Sequence, residues 1–502
     1  MTSIFNPKNP DRAGVNVGRL QRRCGLASLQ GKNAPWQRAS VLIIVLWIAF
    51  GLVSIALYFG QSMLFNLQAA DNYEAGVEAD QAIEGAARYI NFALTNLYQQ
   101  VQTDTTNMPG ILIAPGNIQA YLPSTGQTPY TQTYNGQEVP VGNARFWLIG
   151  RDTGGMSNVA SGLPTFGLVD EASKLNINTA TTNMLEALPF MTPTVAASIL
   201  NWRNSSTNVA SGGAELEYGM LDPPYKCKNA PFETIDELKL VIGVTTDILY
   251  GADLNLNGIL DSNENNKNIS QTSDNLDNGL YAGILEYVTV YSCEPNVQTN
   301  GSARVNINSS SGASSLQTVL QDALGSSRAS QIMQQTGLGT GSSATFGSVL
   351  EFYISSGMTA DEFAKVADAL TTTNASYIAG LINVNTAPAP VLACVPGIGV
   401  DNAQTLVTYR QTHSDQLATV AWVAKALETS AATQAGPYIT AKSYQFSADV
   451  AAVGHYGRGY RRTLFVFDTS SGMPQIIYRR DLTQRNWALG NARKSWQLTR
   501  SM

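Results

Sequence analysis

Between Val41 and Gly60 the chain reads VLIIVLWIAFGLVSIALYFG, and no charged residue occurs anywhere from Ala39 to Ala70. At a rise of ~1.5 Å per residue this run can cross a hydrocarbon core of ~30 Å, so it predicts a transmembrane helix. No proline occurs between Pro35 and Pro109, and helix-compatible residues continue past the apolar run to Gln100. There the pattern changes. Tyr73, Val77, Ile83, Ala87, Ile90, Leu94 and Leu97 recur mostly at three- and four-residue steps, which is the stripe of a helix that buries one face. One helix is therefore expected over residues 40–103, membrane-spanning at 41–60 and amphipathic beyond. β-Branched and aromatic residues between glycine-rich turns mark strands in SYQFSADVAAV (443–453), YRRTLFVFD (460–468) and PQIIYRRD (474–481). ARFWLIGRD (144–152) and TFGLVDEASKLNIN (165–178) read alike, and together these predict an antiparallel sheet lying on the long helix.

A repeat interrupts this pattern. KLNINTATTNMLEALPFMTPTVAASILNWR (174–203) and LINVNTAPAPVLACVPGIGVDNAQTLVTYR (381–410) align at a constant offset of 207 residues. Each predicts a strand, an Asn-Thr-Ala turn and a helix-hairpin-helix, with Asn178 and Asn385 placed to cap the first helix. RVNIN at 304–308 reads as the start of a third, degenerate copy. PFETIDELKLVIGVTTDILYG (231–251) adds a turn and two short helices, and LATVAWVAKALET (417–429) takes the same part after the second copy. The fold class is α+β. Residues 104–178 and 381–484 are expected to form an α/β domain, 179–380 a mainly helical insertion, and 485–502 a basic tail.

Charge gives the chain a direction. Charged residues make up only 14% of the sequence, against ~25% in average soluble domains, which suits an extracytoplasmic surface solvated by neutral polar groups. Residues 1–39 carry a balance of +6 and the remainder −12. Cations before the apolar run and Asp71, Glu74, Glu78 and Asp80 after it place the N-terminus in the cytoplasm and export the acidic body. The alternative, a cleaved secretory signal, expects a shorter apolar core. The cysteines Cys24, Cys227, Cys293 and Cys394 are too scattered for a thiolate metal site, and in an oxidising compartment Cys227 and Cys293 are candidates for a disulfide. With only His413 and His455, and no HExxH, GxSxG or Walker-type loop, neither catalysis nor a small-molecule substrate is expected. The GLGTGSS run at 337–343 reads as linker.

Helix-hairpin-helix units often hold nucleic acid, which makes a membrane-anchored DNA receptor the rival reading. Only the second copy keeps a Pro-Gly-Ile-Gly hairpin (396–399), and the copies hold few cations: Lys174 and Arg203 in the first, Arg410 in the second. Phosphate binding needs more positive charge than that, so nucleic acid is not an expected partner.

The best chemical motif is the run from Asp253 to Glu264. Asp253, Asn255, Asn257, Ile259, Asp261 and Glu264 stand at the oxygen-ligand positions of an EF-hand loop, with Gly258 at its sharp turn. Ca2+ is the expected cofactor, pinning a long connection, and Asp274 and Asp277 are weaker candidates to complete the shell. No helix follows Glu264, so a paired EF-hand domain is not expected.

The stretch Arg38-Ala39-Ser40-Val41-Leu42-Ile43-Ile44 resembles the type III signal of type IV pilins and pseudopilins. That resemblance implies cleavage by prepilin peptidase after Ala39, leaving Ser40 as the first mature residue. It departs from the family in Ala39, where glycine is usual, and in Ile44, where most pilins carry glutamate; the second departure suits a special terminal subunit. With the KLNINTA, FETIDEL and INVNTAP segments and the C-terminal strands, the chain resembles the K-type minor pseudopilins of type II secretion. This family resemblance implies a pilin-like domain with a calcium-binding helical insertion. It also implies a single-pass protein of the bacterial inner membrane with a periplasmic body, a substrate of prepilin peptidase. Its role would be to initiate the pseudopilus at its tip with I- and J-type minor pseudopilins. A tip subunit of a type IV pilus is the nearest alternative.

Overall fold

The computed structural model describes residues 36–103, 117–119, 133–151, 164–204, 217–261, 264, 282–309, 312–338 and 344–490. Helix α1 extends over Trp36–Thr103, as the absence of proline and the apolar run require. The chain divides into two compact units at Gln68. In the first, every described side chain from Val41 onward is exposed, and the helix is long and apolar enough to cross a membrane.

In the second unit, from Ala69, the helix buries one face. Ala75, Ala79, Ala82, Ile83, Ala86, Ile90, Leu94 and Leu97 are buried, whereas Tyr73 and Val77 stand exposed, so the stripe begins on alanines and not on the two large residues. The face must be small because the sheet comes close to it. A Cβ on Gly459, which sits at φ +67°, would lie 2.2 Å from the carbonyl carbon of Ala75.

After a short antiparallel pair, β1 (Asn117–Gln119) with β2 (Thr133–Asn135), comes the principal sheet. It contains β3 (Val139–Val141), β4 (Ala144–Ile149), β5 (Val169–Asp170), β14 (Gln445–Val453), β15 (Arg461–Asp468) and β16 (Gln475–Asp481). The order is β16-β15-β14-β4-β3, with β5 also on β14, and all pairings are antiparallel. Strand alternation sorts the two faces. Phe146, Leu148, Phe446, Ala448, Val450, Phe465 and Phe467 join the α1 stripe in one core. Trp147, Ile149, Ala451 and Val453 face the other way, with Ala488 and Leu489.

The helical part is built three times on one plan. β6 (Leu175–Asn176) pairs in parallel with β7 (Val288–Thr289), β9 (Val305–Asn306) with β10 (Leu370–Thr371), and β12 (Ile382–Asn383) with β13 (Ile439–Thr440). In each, the next residue donates to the closing threonine carbonyl at 3.0 Å: Ile177 to Thr289, Ile307 to Thr371 and Val384 to Thr440. The RVNIN segment does begin a third copy. Between these strands lie helices, α2 (Thr182–Glu186), α3 (Pro193–Arg203) and α4 (Thr246–Tyr250) in the first copy. The second holds α5 (Gly312–Leu324), α6 (Ser326–Gln335), α7 (Val349–Ser356) and α8 (Ala360–Val366). The third holds α9 (Ala389–Ala393), α10 (Gly399–Thr412), α11 (Val423–Ala426) and α12 (Thr429–Ala435).

Two expectations need correction here. Residues 382–439 share a core with Leu175 and the intervening helices, so the helical part does not end at 380, and Leu175-Asn176 pairs outside the principal sheet. The asparagines do not cap the first helices either: Thr181 caps α2 through the Met184 N–H, and Pro388 precedes α9. Asn178 and Asn308 point across their copies instead. Asn178 accepts from the Phe232 N–H at 2.8 Å and donates to its carbonyl at 2.9 Å, and Asn308 does the same to Phe346 at 2.9 and 2.8 Å. Asn385 donates to the Leu417 carbonyl and accepts from the Trp422 indole.

Candidate functional site

The loop from Asp253 leaves α4 and folds its polar side chains inward, as the alternation of ligand positions predicts. Asp253 is buried, and its carboxylate accepts from the N–H groups of Asn257 at 3.0 Å and Gly258 at 2.8 Å. Gly258 sits at φ +75°, a conformation that favours glycine. Asp261 Oδ2 accepts from Asn255 at 2.7 Å and Asn257 at 2.9 Å, while the Ile259 N–H donates to Asn257 Oδ1 at 2.9 Å. Glu264 closes the loop by accepting from Leu254 at 2.9 Å, Asn255 at 3.3 Å and Asp261 at 3.1 Å. All six expected ligand residues are thus tied into one loop; Asp274 and Asp277 lie outside the described residues.

The chemistry of this set suits a hard divalent cation. Burial pushes the Asp253 carboxyl up, against the opposing field of Arg151, and burial raises Glu264 as well. A cation among these oxygens would favour the charged form of both carboxyls. Asn255 Oδ1 is buried without a hydrogen-bond partner, an acceptor left for a ligand. Among the described residues no three or more His, Cys, Asp or Glu side chains gather as a metal cluster. The loop therefore offers mixed carboxylate, amide and carbonyl oxygens, the donors calcium accepts.

Two other polar centres escaped the sequence reading. Asp170 of β5 is buried and accepts from Ala172 N–H, Thr386, Asn383 and Ser443, which fastens the third copy to the sheet; burial raises its pKa to about 6. His455, in the β14–β15 turn, sits between two carboxylates of α1, with Nε2 2.8 Å from Asp71 and Nδ1 2.7 Å from Glu78. Burial pushes Glu78 up, but hydrogen bonds from His455 and Asn143 outweigh it and leave the carboxyl below its ordinary range. Arg461 pairs with Asp80 and Arg479 with Glu84, so the acids of α1 serve the sheet. The signal was present as a run of acids on one helix, but their partners lie more than 370 residues away.

The cations of the repeated segments face inward. Arg203 donates to the carbonyls of Ile177 and Ala180, and Arg410 to those of Val384 and Ala387 at 2.9 and 2.6 Å, while Lys174 pairs with Glu171. Arg203 and Arg410 buckle the strand of each segment to α3 and α10, and none of the three cations is presented to phosphate. Where the third copy turns at Gly397 with φ +84°, the first turns at Phe190 with φ +60°. Cys227 and Cys293 do not bridge: Cys227 is buried with Sγ 3.5 Å from the Asn201 carbonyl, and Cys293 lies in the strand β8 (Cys293–Pro295) opposite Ala379. Ala39 and Ser40 lie within the α1 backbone, whereas the leader before Trp36, the linker at 339–343 and the tail beyond Gly490 fall outside the described residues.

Two family models match the chain, over residues 168–251 and 382–442, and both describe protein K of the type II secretion system (T2SS). These matches fall on the first and third copies of the helical plan. No curated protein matches the chain. A solved structure of the GspK-GspI-GspJ complex from the type 2 secretion system of enterotoxigenic Escherichia coli aligns with a TM-score of 0.36 and 9% identity, covering 83% of this chain and 99% of that one.

Proposed function

Because the chain belongs to the protein K family of the type II secretion system, we propose that it works as a minor pseudopilin, a non-enzymatic subunit of the secretion apparatus. The observation that carries this reading is the helix α1, whose apolar residues from Val41 to Leu67 are all exposed and call for lipid or neighbouring helices. In this reading prepilin peptidase cuts between Ala39 and Ser40, the helix stays in the inner membrane, and the acidic body stands in the periplasm. The bulky helical part obstructs a subunit placed above it, which suits the tip of the pseudopilus and the start of its assembly. I- and J-type minor pseudopilins are the partners.

Calcium completes the loop. Asp253, Asn255, Asn257, Asp261 and Glu264 would hold it through side chains and Ile259 through its carbonyl, and the ion would supply positive charge that favours the charged form of the buried carboxyls. The rest is done by the chain itself: α1 anchors, the sheet fixes α1, and the three helical copies present a folded surface. Co-purification of the full chain from detergent with candidate I- and J-type subunits tests the function. A stable complex of all three is expected, and separate elution of this chain from both overturns the reading.

A further inference from the structure

Arg462 of β15 is wholly buried, and its guanidinium serves two elements at once. Toward its neighbour β14 it donates to Asp449, from Nε at 2.8 Å and from Nη2 at 2.5 Å. Toward the cation loop its Nη1 donates to the Asn255 carbonyl and its Nη2 to the Leu256 carbonyl at 2.7 Å. Arg151, which follows β4 and pairs with Glu286 at 2.5 Å, also donates to the Leu256 carbonyl, at 2.9 Å. The Asn255 side-chain amide then donates to the Trp487 carbonyl at 3.0 Å.

The geometry divides the loop into two sides. Leu256 takes φ +56°, and around it the side chains of Asn255 and Asn257 turn to Asp261 while the carbonyls of Asn255 and Leu256 turn to the arginines. We infer that Arg462, assisted by Arg151, is a positioning residue of the cation loop, so that cation binding and the docking of the first helical copy on the sheet are one coupled event. This rests on the reading of the loop as a calcium site.

Charge alone does not explain the arrangement, because two guanidinium groups beside a cation site repel the ion. Each arginine, however, has its own carboxylate, Asp449 or Glu286, so the net field on the loop is small and the direction of the hydrogen bonds is what remains. A carbonyl held from outside fixes the peptide planes on either side of Leu256, and with them the directions of the Asn255 and Asn257 ligands. Outer partners that orient metal ligands typically contribute ~10–100-fold in affinity. Reciprocity follows from linkage: whatever docking adds to cation affinity, the cation returns to docking.

The test uses the full chain in detergent with calcium chloride as the probe. Arg462→Lys keeps the charge but not the planar fork that reaches a carboxylate and two carbonyls together. Its calcium affinity, measured by titration calorimetry, is expected to fall about tenfold or more relative to the unaltered chain. In hydrogen exchange, calcium is expected to slow the amides of 461–489 in the unaltered chain and not in Arg462→Lys. Glu264→Gln, on the loop and away from the sheet, is expected to abolish the same protection. If Arg462→Lys does not fold, Arg151→Lys leaves the Asp449 pair intact and is expected to show a smaller loss of the same sign. Absence of calcium uptake by the unaltered chain overturns the calcium reading beneath the inference. Uptake with equal affinity and protection in the lysine variants overturns the coupling alone.

Discussion

Asn178, Asn308 and Asn385 illustrate how much a single amide decides in this protein. Each holds a later segment of its copy to the first strand, and Asn308 does so by meeting both polar groups of the Phe346 peptide. Asn308→Ala leaves those two groups unmatched in a half-buried site and is expected to cost about 1–3 kcal/mol in a denaturant melt of the full chain. Glu362 gives a pH signature. Hydrogen bonds from Arg328 and from the Thr359 N–H hold its pKa down to about 2. A folded-state value below the unfolded one means that its stabilisation is present above about pH 4.5 and is lost as the pH falls toward 2. Both partners are partly exposed, so Glu362→Gln is expected to lower stability by about 1 kcal/mol at pH 7, with the difference from the unaltered chain vanishing near pH 2 in paired melts. At the loop, Glu264→Ala is expected to remove the calcium-dependent part of the melting temperature, measured with and without chelator; a curve that responds to chelator as before overturns calcium at Glu264. The loop residues were legible in sequence because their spacing is local. Arg462, Asp170 and His455 were not, because each takes its meaning from partners 200 or more residues away.

At the scale of elements, the long helix, β4 and the three C-terminal strands read directly from apolar patterning, because each has enough residues to show a period. The two-residue strands of the repeated plan show none; the recurrence of Asn-x-Asn marked the opening strand of each copy and nothing marked the closing strands β7, β10 and β13. The face of α1 illustrates a different failure. Ile83, Ala87, Ile90, Leu94 and Leu97 are buried as the stripe requires, yet Tyr73 and Val77 are left exposed and alanines at 75, 79, 82 and 86 are buried beside the sheet instead. Ala79→Leu is therefore expected to destabilise the unit by about 1–3 kcal/mol through overpacking, read in the same denaturant melt. Gly459→Ala is expected to be damaging as well, since its positive φ and its contact with Ala75 both exclude a Cβ. Phe92, 59% exposed on the same helix and meeting the Tyr134 ring edge-on at 6.2 Å, provides the contrast, and Phe92→Ala is expected to cost no more than about 1 kcal/mol.

For the whole molecule, the order of elements along the chain and their adjacency in space differ. The principal sheet is closed by strands from both ends of the second unit, with the three helical copies threaded between β5 and β14. Membrane retention belongs to this scale. The full chain is expected to stay in the membrane pellet after alkaline extraction, and deletion of 41–60 to release it; retention of the deleted form overturns the anchor. What the amino-acid order determined unaided was whatever depends on neighbours within a few turns of chain: the apolar helix, the strands of the sheet, the duplicated segment and the spacing of the polar residues from Asp253 to Glu264. Tertiary structure alone decided that the buried face of α1 begins on alanines and leaves Tyr73 and Val77 outside, that the asparagines fasten and do not cap, that the cations of the copies turn inward, and that Arg462 meets the loop. Those outcomes depend on which distant backbone arrives at a polar side chain, and pairing of that kind leaves no period in the sequence.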